Sequence, residues 1–160
     1  MKLNKRRRTE YKTNYRKRIV LLKGNSPRLV IRKTNKYIML QIVKSKRAQD
    51  SVIFSVNTKE LLDYGWPEKK QGSLKSLSAA YLGGLLLGKK AKEIKERLIL
   101  DTGLIPNTKG SRIYAAVKGA IDSGLKINCD EKVMPSKDRI ESKKNELSEI
   151  FNKVKGGLVK

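Results

Sequence analysis

The sequence predicts one α/β domain in which a mixed sheet is flanked by helices, and three observations carry this prediction. Residues 28–56 contain three short β-branched segments that are separated by polar turns. Residues 73–123 then alternate helical periodicity with a further β-branched segment. With 160 residues, of which 38% are hydrophobic, the chain is long enough to bury one core. Strands followed by helix, strand and helix are typical of a mixed sheet with packed helices.

The first elements predicted along the chain are a helix and an antiparallel three-stranded meander. The helical spacing of Tyr15, Ile19 and Leu22 starts the helix at about Thr13, and Gly24 ends it. Three apolar runs follow, separated by a short turn and by a longer polar loop. The predicted strands cover residues 28–33, 37–43 and 51–56, and the polar loop covers 44–50.

The second half of the chain predicts helices interleaved with one more strand. Asn57 or Thr58 is expected to cap a short helical turn that contains Glu60. A long helix follows, and its alanines and glycines let it lie close to the sheet. The predicted ranges are 73–92 for this helix, 97–101 for a fourth strand, 111–123 for the next helix, 125–127 for a short strand or extended segment, and 137–154 for a final helix.

Charge divides the chain into three predicted parts. Residues 1–36 contain fourteen Lys or Arg and one acid, whereas residues 130–160 contain eight basic and six acidic residues. The prediction is a basic N-terminal arm and helix over 1–24, an α/β domain over 25–128 (the rRNA-binding domain according to the family resemblance given below), and a C-terminal extension with a helix over 129–160. Residues 1–12 are polar and charged, so they are expected to lack regular structure in the free protein.

Composition excludes several classes of site. The chain has no histidine and one cysteine, Cys129, which excludes an internal disulfide, a Cys/His zinc site and histidine-based acid–base catalysis. The acids are scattered, and only Asp101 lies at a strand end where a two-metal site would be expected. We therefore predict no catalytic residues, no metal, no cofactor and no small-molecule substrate.

The apolar segments are too short for a membrane protein. None reaches the roughly 18–20 residues that span a bilayer, and no apolar signal region follows the basic N-terminus. A membrane-surface helix needs a wide apolar face, and residues 1–18 offer only Leu3, Tyr11 and Tyr15 as large groups. The expectation is a soluble, intracellular protein that binds no membrane.

A glycine motif in the long helix resembles a phosphate-binding loop only in part. Gly83 to Lys89 spells G-x-x-x-x-G-K, but Lys90 stands where a P-loop has the Ser or Thr that holds magnesium. The segment also lies within a helical pattern. We therefore interpret its glycines as helix packing and its lysines as favourable charges at a helix C-terminus.

The basic arm and the segment after it indicate a nucleic-acid surface. Clustered cations repel one another until a polyanion neutralises them, and Arg donates two hydrogen bonds to one phosphate. Interleaved tyrosines can stack on unpaired bases. A solubility tail would not extend into a folded basic surface, although the turn at 34–37 can also be a plain solvated turn. The candidate RNA-binding residues here are Lys5, Arg6, Arg7, Arg8, Tyr11, Tyr15, Arg16, Lys17, Arg18, Arg28, Arg32, Lys33, Asn35, Lys36 and Tyr37.

The loop before the helix at 111 is a second candidate. Unpaired N–H groups at a helix N-terminus bind phosphate, and a basic flank favours this. The alternative is that Ser111 simply caps the helix, and the sequence does not separate the two. The candidate residues are Lys109, Ser111 and Arg112.

A series of motifs, in order along the chain, carries a family resemblance. They are Asn14-Tyr15-Arg16-Lys17-Arg18, Pro27 to Ile38, Tyr64-Gly65-Trp66, Ala79 to Leu85, Gly88 to Ala91, Leu100 to Leu104 and Gly110 to Ala120. Together they resemble archaeal ribosomal protein eighteen of the large subunit, the family that binds 5S ribosomal RNA. The resemblance covers residues 5 to about 140 and weakens in the Lys/Glu-rich tail.

This resemblance implies a fold and a role. The fold would be ribonuclease-H-like without catalytic carboxylates, as in other translational-machinery components. The role would be structural, in the central protuberance of the cytoplasmic ribosome, with 5S rRNA, 23S rRNA and a neighbouring 5S-binding ribosomal protein as partners. By position, the family's 5S rRNA contacts carry to Arg6, Arg7, Arg8, Tyr11, Tyr15, Arg16, Arg18, Arg28, Arg32, Asn35 and Tyr37.

Two other classes of function remain alternatives at the level of sequence. An RNA-processing nuclease of similar fold would need clustered carboxylates and magnesium. A general DNA-binding or chromatin protein would bind duplex DNA as well as rRNA, but neither a helix-turn-helix nor a zinc motif is evident.

Overall fold

A computed structural model describes residues 5–141 and 147–159, and it shows a four-stranded mixed sheet with helices packed against it. The predicted α/β fold class is therefore confirmed. The finer ribonuclease-H-like label stays a prediction. The strands are β1 (Arg28–Lys33), β2 (Ile38–Lys46), β3 (Gln49–Asn57) and β4 (Ile99–Asp101). The helices are α1 (Arg6–Thr9), α2 (Tyr15–Lys23), α3 (Leu77–Lys90), α4 (Arg112–Asp122), α5 (Lys137–Glu141) and α6 (Leu147–Val159).

The sheet has the strand order β3-β2-β1-β4. β1, β2 and β3 form the predicted antiparallel meander, and β4 pairs parallel to β1. Successive side chains of a strand point to opposite faces. Leu29 and Ile31 of β1 therefore face the core beneath α3, while Arg28 and Arg32 face the other side, where α2 lies.

The polar loop predicted over residues 44–50 is wrong. β2 and β3 continue through this segment and leave only a two-residue turn, Arg47-Ala48. Both residues have positive φ, 51° and 64°, as tight hairpin turns require. Asn-Gly is the usual signal for such a turn, so the sequence here lacked the residues that would have predicted it.

Helix caps place the helix boundaries. The Asn14 side chain accepts a hydrogen bond from the Lys17 amide at the start of α2, as the predicted helix requires. The predicted capping by Asn57 is also confirmed, and Glu60 completes a capping box. α3 begins later than the predicted residue 73, because the Ser76 hydroxyl accepts from the Ala79 amide and starts the helix there. Residues 68–73 form a separate 3₁₀ helix.

Small residues bring α3 into close contact with α4 as well as with the sheet. A Cβ on Gly83 would lie 3.2 Å from Leu40 of β2, which confirms the predicted approach to the sheet. A Cβ on Gly84 would instead overlap the Ala116 carbonyl of α4, and one on Gly119 would overlap the Tyr81 carbonyl. The two backbones therefore touch at a spacing that only glycine permits at these positions.

The C-terminal segment closes the core. Of the helix predicted over residues 137–154, the structure has α5 and the first part of α6, and residues 142–146 lie outside the described residues. α6 packs on α3 and buries Phe151, Val154 and Leu158. Phe151 also stacks at a tilt against Tyr81, with ring centroids 5.8 Å apart. Among the described residues, no helix combines the length and apolarity needed to cross a membrane.

The N-terminal arm, which is the segment before α2 and is described from residue 5 onward, has more local structure than predicted. Residues 6–9 form one helical turn, α1, although none of its side chains is buried. The turn is local, because the Arg8, Thr9 and Glu10 amides donate to carbonyls three or four residues earlier. The predicted lack of regular structure over residues 1–12 is thus wrong at this turn.

Replacing Gly84 with Ala is expected to lower the free energy of unfolding by about 1–3 kcal/mol, because the new methyl group overlaps backbone of α4 that cannot yield without separating the helices. The matched control is Gly156→Ala in α6, where a Cβ would meet nothing within 4 Å. That control should raise stability by about 0.5–1 kcal/mol through helix propensity. Urea unfolding of both variants measures the difference, and equal effects would contradict the close packing of α3 and α4.

Candidate nucleic-acid interface

A groove of about 680 Å³ lies between the arm, α2 and the ends of β1 and β4. It brings together six of the predicted RNA-binding residues from three separate segments. These residues are Arg7, Tyr15, Lys17, Arg18, Arg32 and Lys33. Lys12 is also part of the lining, and the acids of the lining are Asp50 and Asp101. Six basic side chains against two acidic ones give the groove the charge that a phosphate backbone requires.

The arm reaches the groove through short polar contacts. Arg7 Nε donates to Thr13 Oγ1 at 2.9 Å, and the Lys5 ammonium lies 4.8 Å from the centre of the Tyr15 ring. Glu10 pairs with Lys12 at 2.9 Å and with Arg6 at 3.6 Å. These exposed pairs contribute little stability, so the arm is held weakly and can rearrange around a ligand.

The arm also presents one aromatic ring to solvent. Tyr11 is 88% exposed, and its φ of 51° lies in the left-handed region that non-glycine residues rarely occupy. Arg6 and Arg8 are exposed beside it. This segment therefore offers exposed cations and an exposed ring together, the two groups that bind unpaired nucleotides.

Helix α2 is fastened to the end of β4 by a lysine. Lys17 Nζ donates to Thr102 Oγ1 and to the Gly103 carbonyl, each at 3.2 Å. Gly103 has a φ of 64°, and a Cβ there would lie 3.0 Å from the Arg32 guanidinium. The absence of a side chain at Gly103 thus leaves room for the Arg32 guanidinium at the groove wall. Arg16 of α2 is exposed and does not belong to the groove lining.

Arg28 is placed differently from the prediction of an RNA contact. The residue is 2% exposed, and its guanidinium donates to Asp101 Oδ2 at 3.1 Å, to Asp50 Oδ1 at 2.7 Å and to Ser45 Oγ at 2.9 Å. A side chain that is buried and occupied in this way is not presented to a phosphate. Arg28 can be buried because its two carboxylate partners compensate the positive charge that burial would otherwise penalise.

Asp50, one of the two acids that accept hydrogen bonds from Arg28, is kept ionised by its surroundings. Partial burial alone would raise the pKa of Asp50, but hydrogen bonds from Ser45 and Arg18 and the charges of Arg28 and Arg18 outweigh it. The net result is a pKa of Asp50 below its ordinary value. Arg18 Nη1 lies 3.0 Å from Asp50 Oδ2, so Asp50 joins α2 to β3.

The β1–β2 turn at residues 34–37 extends from the same sheet. The Thr34 hydroxyl donates to the Tyr37 carbonyl at 2.8 Å and accepts from the Tyr37 amide at 2.9 Å, which closes the turn. Lys33, Asn35 and Lys36 are exposed at its tip, whereas the half-buried Tyr37 packs against the core. The turn thus presents an amide and two cations rather than a free aromatic ring.

The second predicted site lies apart from the groove. Lys109 and Arg112 are exposed, and neither they nor Ser111 belong to the groove lining. Ser111 occupies the main-chain capping position of α4 without a side-chain cap bond. Among the described residues, no hydrogen-bond partner approaches the buried Ser111 Oγ. The loop is held by the Gly110 amide, which donates to the Val133 carbonyl at 2.8 Å.

Sequence reasoning missed part of this surface. Lys46 and Arg47 border a second cavity of about 410 Å³ at the β2–β3 turn, next to Asp50. The Arg18 guanidinium also donates to the Ala48 carbonyl at 3.4 Å, which joins this turn to α2. The run of Lys44, Lys46 and Arg47 could have indicated this basic surface. Its position beside the groove could not be predicted, because it depends on the tight Arg47-Ala48 turn.

Comparison with known proteins points to one family. A family model described as "Ribosomal large subunit proteins 60S L5, and 50S L18" matches residues 1–97 and 92–130. The large ribosomal subunit protein uL18 of Korarchaeum cryptofilum is 46% identical over 140 residues, which cover 87% of this chain and 70% of that protein. The large ribosomal subunit protein uL18 of Methanoregula boonei is 40% identical over 156 residues, which cover 97% of this chain and 86% of that protein.

Replacing Asp50 with Asn is expected to lower the free energy of unfolding at pH 7 by about 1–2 kcal/mol, since charge-assisted hydrogen bonds to Arg18 and Arg28 are weakened. Because folding lowers the pKa of Asp50, its contribution is complete above the ordinary value of 3.8 and is lost as the pH falls through the folded value.

Urea unfolding of both proteins at pH 7 and at about pH 2.5 tests the sign of this effect. The difference between the wild type and Asp50→Asn should be largest at neutral pH and smaller in acid. Asp63→Asn, an exposed aspartate outside the groove, is the matched control. A difference that stays constant between the two pH values would contradict the lowered pKa.

Proposed function

We propose that this chain, which belongs to the family of ribosomal large subunit proteins 60S L5 and 50S L18, binds 5S rRNA and anchors it to 23S rRNA in the central protuberance. Family membership makes the chain a structural component of the large subunit of the cytoplasmic ribosome, and not an enzyme. The identity of the bound RNA and the position in the subunit are the proposed part.

The basic groove is the observation that carries this proposal. The arm, α2 and β1 follow one another along the chain, and the fold turns their predicted contact residues onto one surface beside the end of β4. Backbone phosphates need closely spaced cations, and structured RNA is recognised largely through shape, phosphates and unpaired bases. A rigid sheet with a weakly held arm suits such a target.

The parts of the chain are assigned different duties. In the part over residues 1–24, the arm orders on the RNA and releases counterions from its phosphates, and α2 anchors it to the domain. The domain over residues 25–128 fixes placement through the groove and through the turn at Asn35. In the extension over residues 129–160, α6 packs on α3, and none of the described residues there belongs to the groove lining.

The rival assignment as a general nucleic-acid binder gives a different result in a direct comparison. Binding of the full chain to 5S rRNA and to random duplex DNA of equal length is measured at physiological salt. We expect markedly tighter binding to 5S rRNA, with protection of a defined segment in footprinting. Equal affinity for the two ligands would favour the general binder. Specific, magnesium-dependent cuts in the RNA would instead reopen the nuclease alternative.

Replacing Arg6, Arg7 and Arg8 with Ala is expected to lower the slope of log K against log salt by about 2, at roughly 0.7 per phosphate contact. The matched control removes three exposed lysines outside the groove, Lys126, Lys132 and Lys137. Titration of labelled 5S rRNA at several salt concentrations gives both slopes. If the control lowers the slope as much as the arm variant does, the effect is one of net charge and not of contact.

Tyr11 is expected to stack on an unpaired base, because its ring is free while one face of the Tyr15 ring carries the Lys5 ammonium. The Tyr11→Ala variant should lose about 1–3 kcal/mol of 5S rRNA affinity. Tyr11→Phe keeps the ring and should retain most of the affinity. Equal losses in the two variants would show that the hydroxyl, and not stacking, makes the contact.

A further inference from the structure

An alternating chain of charges runs beneath and along the groove. Asp50 joins Arg18 and Arg28 at 3.0 and 2.7 Å, and Asp101 joins Arg28 and Arg32 at 3.1 and 3.2 Å. The order Arg18–Asp50–Arg28–Asp101–Arg32 spans α2, β3, β1 and β4. We call these five side chains the arginine relay.

Two members of the relay are buried and three are partly exposed. The Arg28 side chain is 3% exposed and that of Asp101 is 9% exposed, whereas those of Arg18, Asp50 and Arg32 are 31%, 34% and 40% exposed. The outer arginines and both acids belong to the groove lining, and Arg28 does not. The central residue is therefore placed to act on a ligand only through its neighbours.

Stability alone is a weak reason to bury this group. Taking an ion pair out of water costs about as much as the pair returns, and an apolar replacement of similar volume is often as stable. What the buried guanidinium adds is geometry. Its planar fork reaches both carboxylates at once, and each carboxylate keeps its second oxygen for an outer arginine.

We propose that Arg28 is a positioning residue for RNA binding, and that it fixes Arg18 and Arg32 at the two sides of the groove for adjacent phosphates. This rests on the proposed function. Arg28 also neutralises part of the carboxylate charge that would otherwise repel the RNA. The hydrogen bonds seen among the described residues occupy only some of the N–H groups of each outer guanidinium. The spacing of the two outer cations is then set by the sheet and not by flexible side chains.

The outer arginines have further fixed contacts that support this arrangement. Arg32 Nη1 donates to the Asp101 carbonyl at 2.8 Å, and Arg18 Nη2 donates to the Ala48 carbonyl at 3.4 Å. Ser45 adds a hydrogen bond to Asp50 at 2.6 Å and receives one from Arg28 at 2.9 Å. Both ends of the relay are thus held by backbone as well as by charge.

The test uses Arg28→Lys, which keeps the charge of the chain but cannot bridge two carboxylates in the same way. Affinity for 5S rRNA should fall about tenfold, and the salt slope should fall by about 1.5, since two phosphate contacts are loosened. Circular dichroism establishes that the variant is folded. The matched control is Arg97→Lys, an exposed residue outside the relay, which should leave both values unchanged.

A double-mutant cycle separates positioning from a merely structural role. Arg18→Ala and Arg32→Ala are each measured in the wild type and in Arg28→Lys. If Arg28 positions them, each should cost at least about threefold less affinity in the Arg28→Lys background. Strictly additive losses would overturn the proposal. Failure of the wild type to bind 5S rRNA would overturn the proposed function instead, so the two outcomes are distinguishable.

Ser45→Ala provides a second cycle that does not depend on the folding of Arg28→Lys. It changes no charge and removes the hydroxyl that contacts Asp50 and the Arg28 Nη2 group bound to Asp50. Its effect should couple more strongly to Arg18→Ala than to Arg32→Ala, which lies at the other end. Additivity with both variants would contradict the relay even if Arg28→Lys fails to fold.

Discussion

Beneath the basic groove, the buried guanidinium of Arg28 joins β1 to β3 through Asp50 and to β4 through Asp101. The two carboxylates in turn hold Arg18 of α2 and Arg32 of β1. The buried guanidinium and its two carboxylates therefore connect α2, the β2–β3 hairpin and the parallel strand β4. Without it, each acid would keep only one arginine partner, in a surface that we propose to attract phosphate.

The opposite face of the sheet depends on close packing instead of charge. Gly84 and Gly119 let α3 and α4 touch backbone to backbone, and α6 covers α3 with Phe151 and its neighbours. This separation has a physical reason. A chain with a formal charge of +23 repels itself, so its stability must come from a core that excludes the charges. The cations then remain available on the other face.

Much of the fold could be predicted because its signals are local. β1 has the predicted bounds, and the Asn57–Glu60 cap depends only on residues three apart. The Arg47-Ala48 turn could not be predicted, because two non-glycine residues take a positive φ that the hairpin imposes on them. The burial of Arg28 could not be predicted either. In sequence it is one cation among many, and its two acids arrive from 22 and 73 residues away.

The proposed place of 5S rRNA is the groove between the arm, α2 and β1. Ultraviolet crosslinking of the full chain to 5S rRNA, followed by mass spectrometry of the linked peptides, tests this placement most directly. We expect crosslinks in peptides from the arm, from α2 and from the turn after Arg32. Crosslinks confined to α4 and α6, with none in the groove peptides, would contradict it.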